Sequence, residues 1–112
     1  MTASNVRRVT SVGRLPEASM AEYERLHQAV WPSVLSRLSA SNIRNYSIYR
    51  YGELLFSYLE YAGDDFEADM AAIAADPETQ RWWALLALLR TQTDISDADE
   101  WPMSMPEVFH LE

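Results

Sequence analysis

Cysteine is absent from this 112-residue chain, and glycine occurs only three times. Without cysteine there is no disulfide framework, no thiolate nucleophile and no cysteine-ligated metal site, which accords with a cytoplasmic protein. The P-loop, the dinucleotide glycine signature, the HExxH zinc helix and the nucleophile elbow are all missing from the sequence. We therefore expect neither phosphoryl transfer nor hydride transfer.

Positive charge is also scarce, because 9 basic residues face 17 acidic ones and give a formal net charge of -8. Such a balance opposes contact with nucleic-acid phosphates and anionic lipids. No apolar run approaches the ~20 residues of a membrane span, and the N-terminus lacks the apolar core of a signal peptide. The expected partners exclude nucleic acid and membranes. His27 and His110 show no close ligand spacing with the carboxylates, so we also expect no metal.

Periodicity and turn residues predict one domain spanning residues 1–112. A valine-rich segment predicts a first strand that ends near Gly13 and Pro16. Ser19 and Glu22 have the spacing of a capping box, which predicts a helix starting near Met20. Apolar positions then recur every three or four residues, with a kink or a helix restart predicted where proline interrupts them: Met20, Tyr23, His27, Val30, Val34 and Leu38, with the break at Trp31 and Pro32.

The second half of the chain begins with two aromatic-rich runs divided by Gly52, which predict a β-hairpin. Asp64 with Glu67 predicts the start of another helix, and Asp76 before Pro77 predicts a third. An acidic loop at residues 94–100 precedes a predicted final strand, Glu107 to Leu111. The predicted element order is therefore β-α-β-β-α-α-β.

This order is close to the ferredoxin-like arrangement, an α+β fold with a four-stranded antiparallel sheet and helices on one face. Large residues occur on both faces of the predicted hairpin: Tyr46 and Ile48 share one face of its first strand, and Leu54, Phe56 and Tyr58 share one face of its second. A sheet face without helices needs another cover. We therefore expect a homodimer in which a second copy packs against the open face.

One histidine and several aromatic residues form the candidate site. The helical spacing turns His27 and Tyr23 inward, and Tyr46 lies on a strand. Trp82 and Trp83 point about 100° apart on a helix, so at least one of them should reach a cleft or an interface. Indole faces stack on pyranose rings, while phenols and imidazole bind sugar hydroxyls, which favours a sugar site. Ordinary core packing, a cofactor-free oxygenase or haem-handling protein, and a non-catalytic sugar-binding module are the alternatives.

Four separated motifs, "EYERLHQAVWP", "NYSIY", "QRWW" and "EVFHL", resemble the L-rhamnose mutarotases in sequence, order and spacing. The resemblance implies a dimeric α/β-barrel protein that interconverts the α and β anomers of L-rhamnose without a cofactor. It further implies that His27 is the catalytic acid/base and that Tyr23 assists it. Tyr46, Trp82 and Trp83, together with Tyr23, are the implied sugar-binding residues.

Two positions depart from that family's pattern. Ser33 follows the "WP" pair where an acidic residue is common, and His110 stands where tyrosine is common. Neither coincides with the five implied site residues. The departures leave open a mutarotase for a related sugar such as L-fucose.

Overall fold

The computed structural model describes residues 6–90 and 103–112 and places them in an α+β fold. The helices are α1 (Glu17–His27), α2 (Pro32–Ala40), α3 (Phe66–Ala75) and α4 (Pro77–Ala87). The strands are β1 (Arg7–Arg14), β2 (Ile43–Tyr51), β3 (Leu54–Tyr61) and β4 (Met103–Ser104). They form an antiparallel sheet in the order β2-β3-β1-β4. Three strands are long, and the fourth has only two residues.

The predicted hairpin is confirmed as β2 and β3, which are joined at Gly52. This glycine has φ +60, a left-handed conformation that a residue with a Cβ adopts only at a cost. The register pairs Ile48 with Ser57 and shifts between Arg44 and Ser47, where β2 contains an irregularity. The first predicted strand is also confirmed, because β1 ends at Arg14.

The first helical region divides at proline, as the sequence predicts. Helix α1 ends at His27, and α2 begins at Pro32 with Trp31 as its N-cap residue. The ψ angle of Trp31 is 133°, which is the extended conformation that a following proline favours. Proline fits the first helical position because the N–H that it lacks has no partner there. The chain therefore starts a second helix five residues after the histidine.

The start of α1 differs from the prediction. The helix begins at Glu17 after Pro16, and no side chain caps it. The prediction of a capping box formed by Ser19 and Glu22 is therefore wrong. The Ser19 hydroxyl instead donates a 2.7 Å hydrogen bond to the carbonyl of Leu89. Because Leu89 follows α4, this bond connects the start of α1 to the end of α4. The Ser19 side chain therefore does not bond to the backbone of α1 as a cap would.

The two later helices have aspartate caps. Asp76 caps α4 as predicted, since its carboxylate accepts a 2.9 Å bond from the backbone N–H of Thr79. The cap of α3 is Asp65, which accepts a 3.1 Å bond from Ala68 N–H, and not Asp64 as the sequence analysis predicts. Two adjacent aspartates offer the same chemistry, and the structure places Asp65 at the N-cap position.

The buried core lies between one face of the sheet and the helices. One cluster joins Leu15 and Leu55 to Met20 of α1, and a second joins Ile43 and Tyr61 to Ile73 of α3. Strand alternation puts Ser11, Gly13, Leu55 and Ser57 on this face. The opposite face, called the far face below, carries the alternate residues: Arg8, Thr10, Val12, Arg14, Ser47, Tyr49, Tyr51, Leu54, Phe56, Tyr58 and Glu60.

The end of the chain requires a correction. Residues Glu107 to Leu111 do not form the predicted final strand; the short strand that closes the sheet is β4, beside β1. The element order is consequently β-α-α-β-β-α-α-β, with one more helix than predicted because α1 and α2 are separate. The predicted acidic loop at 94–100 lies outside the described residues. Among the residues described, no helix is both long enough and apolar enough to cross a membrane.

The corrected cap of α3 can be tested with two neighbouring substitutions. Asp65→Ala removes the side-chain acceptor for Ala68 N–H and should lower the free energy of unfolding by about 1 kcal/mol. Asp64→Ala, one residue earlier and exposed, is the matched control and should change it much less. Urea unfolding followed by circular dichroism measures both. Equal losses in the two variants would contradict the assignment.

Candidate active site

A cavity of about 520 Å³ opens between the sheet and helices α1 and α4. Its volume lies within the range of small-molecule pockets. Helices supply an aromatic wall, the strands supply the floor, and both also contribute aliphatic side chains. The lining residues are Ser11, Gly13, Leu15, Tyr23, His27, Tyr46, Ile48, Leu55, Ser57, Trp82, Trp83, Leu86, Ala87 and Arg90.

His27 is held by the backbone of its own helix. Its Nδ1 lies 2.8 Å from the carbonyl oxygen of Tyr23, one helical turn earlier. A carbonyl can only accept, so Nδ1 carries the hydrogen and donates it. This bond fixes the tautomer of the neutral ring and leaves Nε2 as the nitrogen that can take up or release a proton.

Two aromatic rings fix the plane of this imidazole. Tyr23 stacks on His27 with ring centroids 4.1 Å apart, and Trp82 meets it edge-on at 5.4 Å. Trp31 in turn packs against Trp82 at 5.2 Å, also edge-on. Trp31, at the helix break, therefore packs against Trp82, which in turn packs against His27. Trp31 itself does not line the cavity.

The two tyrosines of the site remain protonated at neutral pH. Burial raises the pKa of Tyr23 to about 12, and the nearby Tyr46 hydroxyl adds to the effect. Burial also raises the pKa of Tyr46, although almost half of that residue's surface is exposed. A neutral phenol can donate and accept hydrogen bonds, but it is not a base. The basic group among these aromatic residues is therefore the imidazole.

The five residues predicted from sequence line the same cavity: Tyr23, His27, Tyr46, Trp82 and Trp83. The tryptophan pair divides as its helical geometry requires, with Trp82 5% exposed and Trp83 47% exposed. The two residues that depart from the family pattern, Ser33 and His110, are not among the lining residues. Ser33 instead lies near Glu78, and His110 near Glu107.

Sequence reasoning missed the floor of the cavity. Ser11 and Ser57 lie opposite each other on the two central strands, and their hydroxyls are hydrogen-bonded. Strand alternation could have indicated this position, because Ser11 lies two residues from Gly13 on β1 and Ser57 lies two residues from Leu55 on β3. Residues two apart on a strand point to the same face of the sheet. Arg90, just after α4, is a second missed lining residue, and no pattern in the sequence marks it.

The chemistry that this arrangement offers is proton transfer next to flat apolar surfaces. In the described part of the chain, no group of three or more acidic or histidine side chains is placed to hold a metal ion. One imidazole with a fixed tautomer can exchange protons with a bound hydroxyl group. Exposed indole surface can stack on a sugar ring, and hydroxyls in the cavity can bind its oxygens.

Comparison with known proteins shows which family the chain is similar to. The model of the L-rhamnose mutarotase family matches residues 8–111. An L-rhamnose mutarotase of Opitutus terrae is 40% identical over 95 residues, covering 82% of this chain and 86% of the relative. That of Phocaeicola vulgatus is 33% identical over 94 residues, covering 81% and 85%.

A solved structure matches the fold. The crystal structure of an L-rhamnose mutarotase from Formosa agariphila superimposes with a TM-score of 0.73 at 23% identity, covering 95% of this chain and 99% of the other. The fold and the cavity define a small α+β protein with an aromatic, histidine-containing pocket. The chain belongs to the L-rhamnose mutarotase family.

Burial of Tyr23 gives a testable pH dependence. Its folded-state pKa of about 12 lies above the ordinary value of 10.0, so the folded protein resists ionisation of this phenol. The resulting stabilisation is complete below pH 10 and is lost as the pH rises towards 12. Tyr23→Phe should therefore lose less stability than the wild type over this interval.

Urea unfolding at a series of alkaline pH values measures the difference. Tyr51→Phe, which changes an exposed tyrosine at the end of β2, is the control for loss of a hydroxyl and should follow the wild-type curve. If the Tyr23→Phe curve also fell in parallel with the wild type, burial of this phenol would not be the cause.

Proposed function

We propose that the chain, as a single domain spanning residues 1–112, is an L-rhamnose mutarotase that interconverts the α and β pyranose anomers. The observation that carries the proposal is the fixed imidazole of His27 in an aromatic cavity, in a chain of this family. The reaction needs only proton transfers at two oxygens, so acid/base groups suffice. The predicted cytoplasmic location rests on the cysteine-free composition.

His27 is the proposed acid/base. Ring opening removes the proton from the anomeric hydroxyl, adds a proton to the ring oxygen and breaks the bond between C1 and that oxygen. The open-chain aldehyde then rotates about its C1–C2 bond, and closure on the other face reverses both proton transfers. In the imidazolium form, in which both ring nitrogens carry a hydrogen, Nε2 of His27 donates its proton to the ring oxygen during opening and recovers that proton during closure, because Nδ1 is engaged with the Tyr23 carbonyl.

Tyr23 is the proposed assistant at the anomeric oxygen. Its raised pKa keeps the phenol protonated, so the hydroxyl can bind the anomeric oxygen but does not remove its proton as a base. A water molecule is the proton carrier that completes the exchange at this position. The short ring–ring distance to His27 keeps the assistant and the acid/base in a fixed relation.

Tyr46, Trp82 and Trp83 are the proposed remaining sugar contacts. Trp83 offers exposed indole surface to the C–H face of the pyranose, while Trp82 is mostly committed to packing against His27 and Trp31. Tyr46 carries a second neutral phenol close to that of Tyr23. Together these residues would hold the ring against the imidazole while it opens.

Substitution of the acid/base tests the proposed reaction. His27→Ala should reduce the rate of anomer exchange of L-rhamnose by about 10²- to 10⁴-fold, the usual contribution of a positioned acid/base. His110→Ala replaces the other histidine, which lies outside the cavity, and should keep wild-type exchange. Exchange NMR measures the rate, and circular dichroism checks that both variants fold.

The same experiment also measures sugar preference and distinguishes catalysis from binding alone. Parallel measurements with L-fucose and a neutral control hexose report which sugar is preferred. Sugar binding without accelerated exchange in the wild type would favour a non-catalytic sugar-binding module. Undiminished exchange in His27→Ala would remove this residue from the mechanism.

We further propose the ferredoxin-like, dimeric α/β-barrel assembly, with a second copy of this chain on the far face. The strand order β2-β3-β1-β4 supports the ferredoxin-like part of this assignment. Neither buried cluster includes residues of the far face. Tyr49 and Tyr51 are exposed there, beside the partly buried Leu54 and Phe56. A sheet face with large exposed aromatic side chains needs a cover, and a second copy of the chain related by a two-fold axis would supply one.

The C-terminal segment supports the same partner. Arg8, whose strand position places it on the far face, binds Glu107 through two hydrogen bonds of 2.9 and 3.1 Å. The segment that follows carries exposed apolar side chains, with Val108 92% and Phe109 79% exposed. This segment is therefore anchored at the edge of the proposed interface, and its apolar side chains are available to the second copy.

The dimer can be tested by mass in solution. Size-exclusion chromatography with light scattering at micromolar concentration should give about 26 kDa, which is twice the chain mass of 12.9 kDa. Tyr49→Arg places a charge on the far face and should shift the mass towards that of one chain. Leu35→Arg alters an exposed apolar residue of α2 and should leave the dimer intact. A monomeric wild type would refute the assembly.

A further inference from the structure

The serine pair on the cavity floor is the feature that the proposed mechanism does not use. Ser11 on β1 lies directly opposite Ser57 on β3, in the middle of the sheet. Both residues are partly buried and line the same cavity as His27. Their neighbours in that floor are apolar. Leu55 lies two residues from Ser57 on β3, and Ile48 on β2 pairs with Ser57.

The hydrogen-bonding capacity of this pair exceeds what the described residues use. Each hydroxyl has one donor and two acceptor lone pairs. Within residues 6–90 and 103–112, the two hydroxyls bond only to each other. One donor and several lone pairs of these two cavity-lining hydroxyls therefore have no partner among the described residues. An apolar ligand would leave these groups unsatisfied at a cost, whereas a polyhydroxylated ligand would satisfy them.

We propose that Ser11 and Ser57 form a specificity subsite that binds one hydroxyl of the sugar at C2, C3 or C4. The sugar hydroxyl accepts from the serine donor and donates to a serine lone pair, so it joins the existing pair without breaking it. The subsite binds a hydroxyl on the part of the sugar ring that faces the sheet, while His27 and Tyr23 of α1 bind the anomeric centre. This inference rests on the proposed function of the same cavity.

The competing explanation is that serine merely provides space. A small residue at each position would deepen the floor, and Gly13 beside them has no side chain at all. Alanine distinguishes the two explanations, because it is as small as serine and has no hydroxyl. A role in space alone would leave Ser57→Ala and Ser11→Ala unchanged.

The test compares L-rhamnose with its 2-deoxy, 3-deoxy and 4-deoxy analogues. Ser57→Ala should raise KM for L-rhamnose about 3- to 10-fold, the effect of losing one neutral hydrogen bond, while kcat stays close to the wild-type value. One analogue, lacking the hydroxyl that the pair binds, should be handled equally well by Ser57→Ala and the wild type. Exchange NMR over a range of sugar concentrations gives both constants.

Two further variants make the outcome decisive. Ser47→Ala removes a hydroxyl from the far face of the same sheet and should behave as the wild type. Ser11→Ala should reproduce the Ser57→Ala pattern, and it provides the same test if Ser57→Ala does not fold. Unchanged KM in both serine variants, or a loss in kcat that is equal for all four sugars, would overturn the subsite.

Failure of the proposed function gives a different result. If the wild type does not accelerate anomer exchange, saturation-difference NMR still measures binding of the same four sugars to the wild type and to Ser57→Ala. If Ser57→Ala binds L-rhamnose and two of the analogues more weakly than the wild type does, but binds the third analogue equally well, the subsite is supported even without the reaction. Equal binding of all four sugars to both proteins would refute it.

Discussion

The hydrogen bond between His27 Nδ1 and the carbonyl of Tyr23 is the interaction on which the candidate site depends. It sets the tautomer of the imidazole, and it can form because both residues belong to the last turns of α1. The helix ends at His27 since a proline follows five residues later and the chain must leave the helix before it. The same break places Trp31 against Trp82, which closes the other side of the imidazole. One proline therefore determines both the position and the surroundings of the proposed acid/base.

The sheet provides the second constraint, because its strand alternation separates the face that lines the cavity from the far face, on which we propose that a second copy packs. Gly13, Leu55 and the serine pair point towards the helices, while Val12, Leu54 and Phe56 point away from them. A shift of one residue in the register of β1 or β3 would exchange these sets. The serine pair in the cavity floor and the aromatic side chains of the far face are consequently two results of the same register.

The sequence predicted most of the elements and the five aromatic and histidine residues of the site, because these depend on local signals. Periodicity places Tyr23 and His27 on one helix face, and Asp76 before Pro77 marks a helix start without ambiguity. The errors arose where two local solutions compete. Asp64 and Asp65 are equivalent as caps, and Ser19 has the sequence spacing of a cap but bonds to a carbonyl 70 residues away in the chain. The apolar composition of Glu107 to Leu111 resembles a strand, although β1 pairs with Met103–Ser104 instead.

The cavity floor shows why a site is harder to predict than a fold. Ser11 and Ser57 are 46 residues apart, and only the antiparallel pairing of β1 with β3 makes them a pair. Each serine alone is an ordinary small residue in a strand, whereas the two together form a polar group among Leu55 and Ile48. A buried polar group in an apolar setting is stabilising only when its hydrogen bonds are satisfied. In this molecule we propose that a sugar hydroxyl completes them, and neither serine taken alone in the sequence could indicate this.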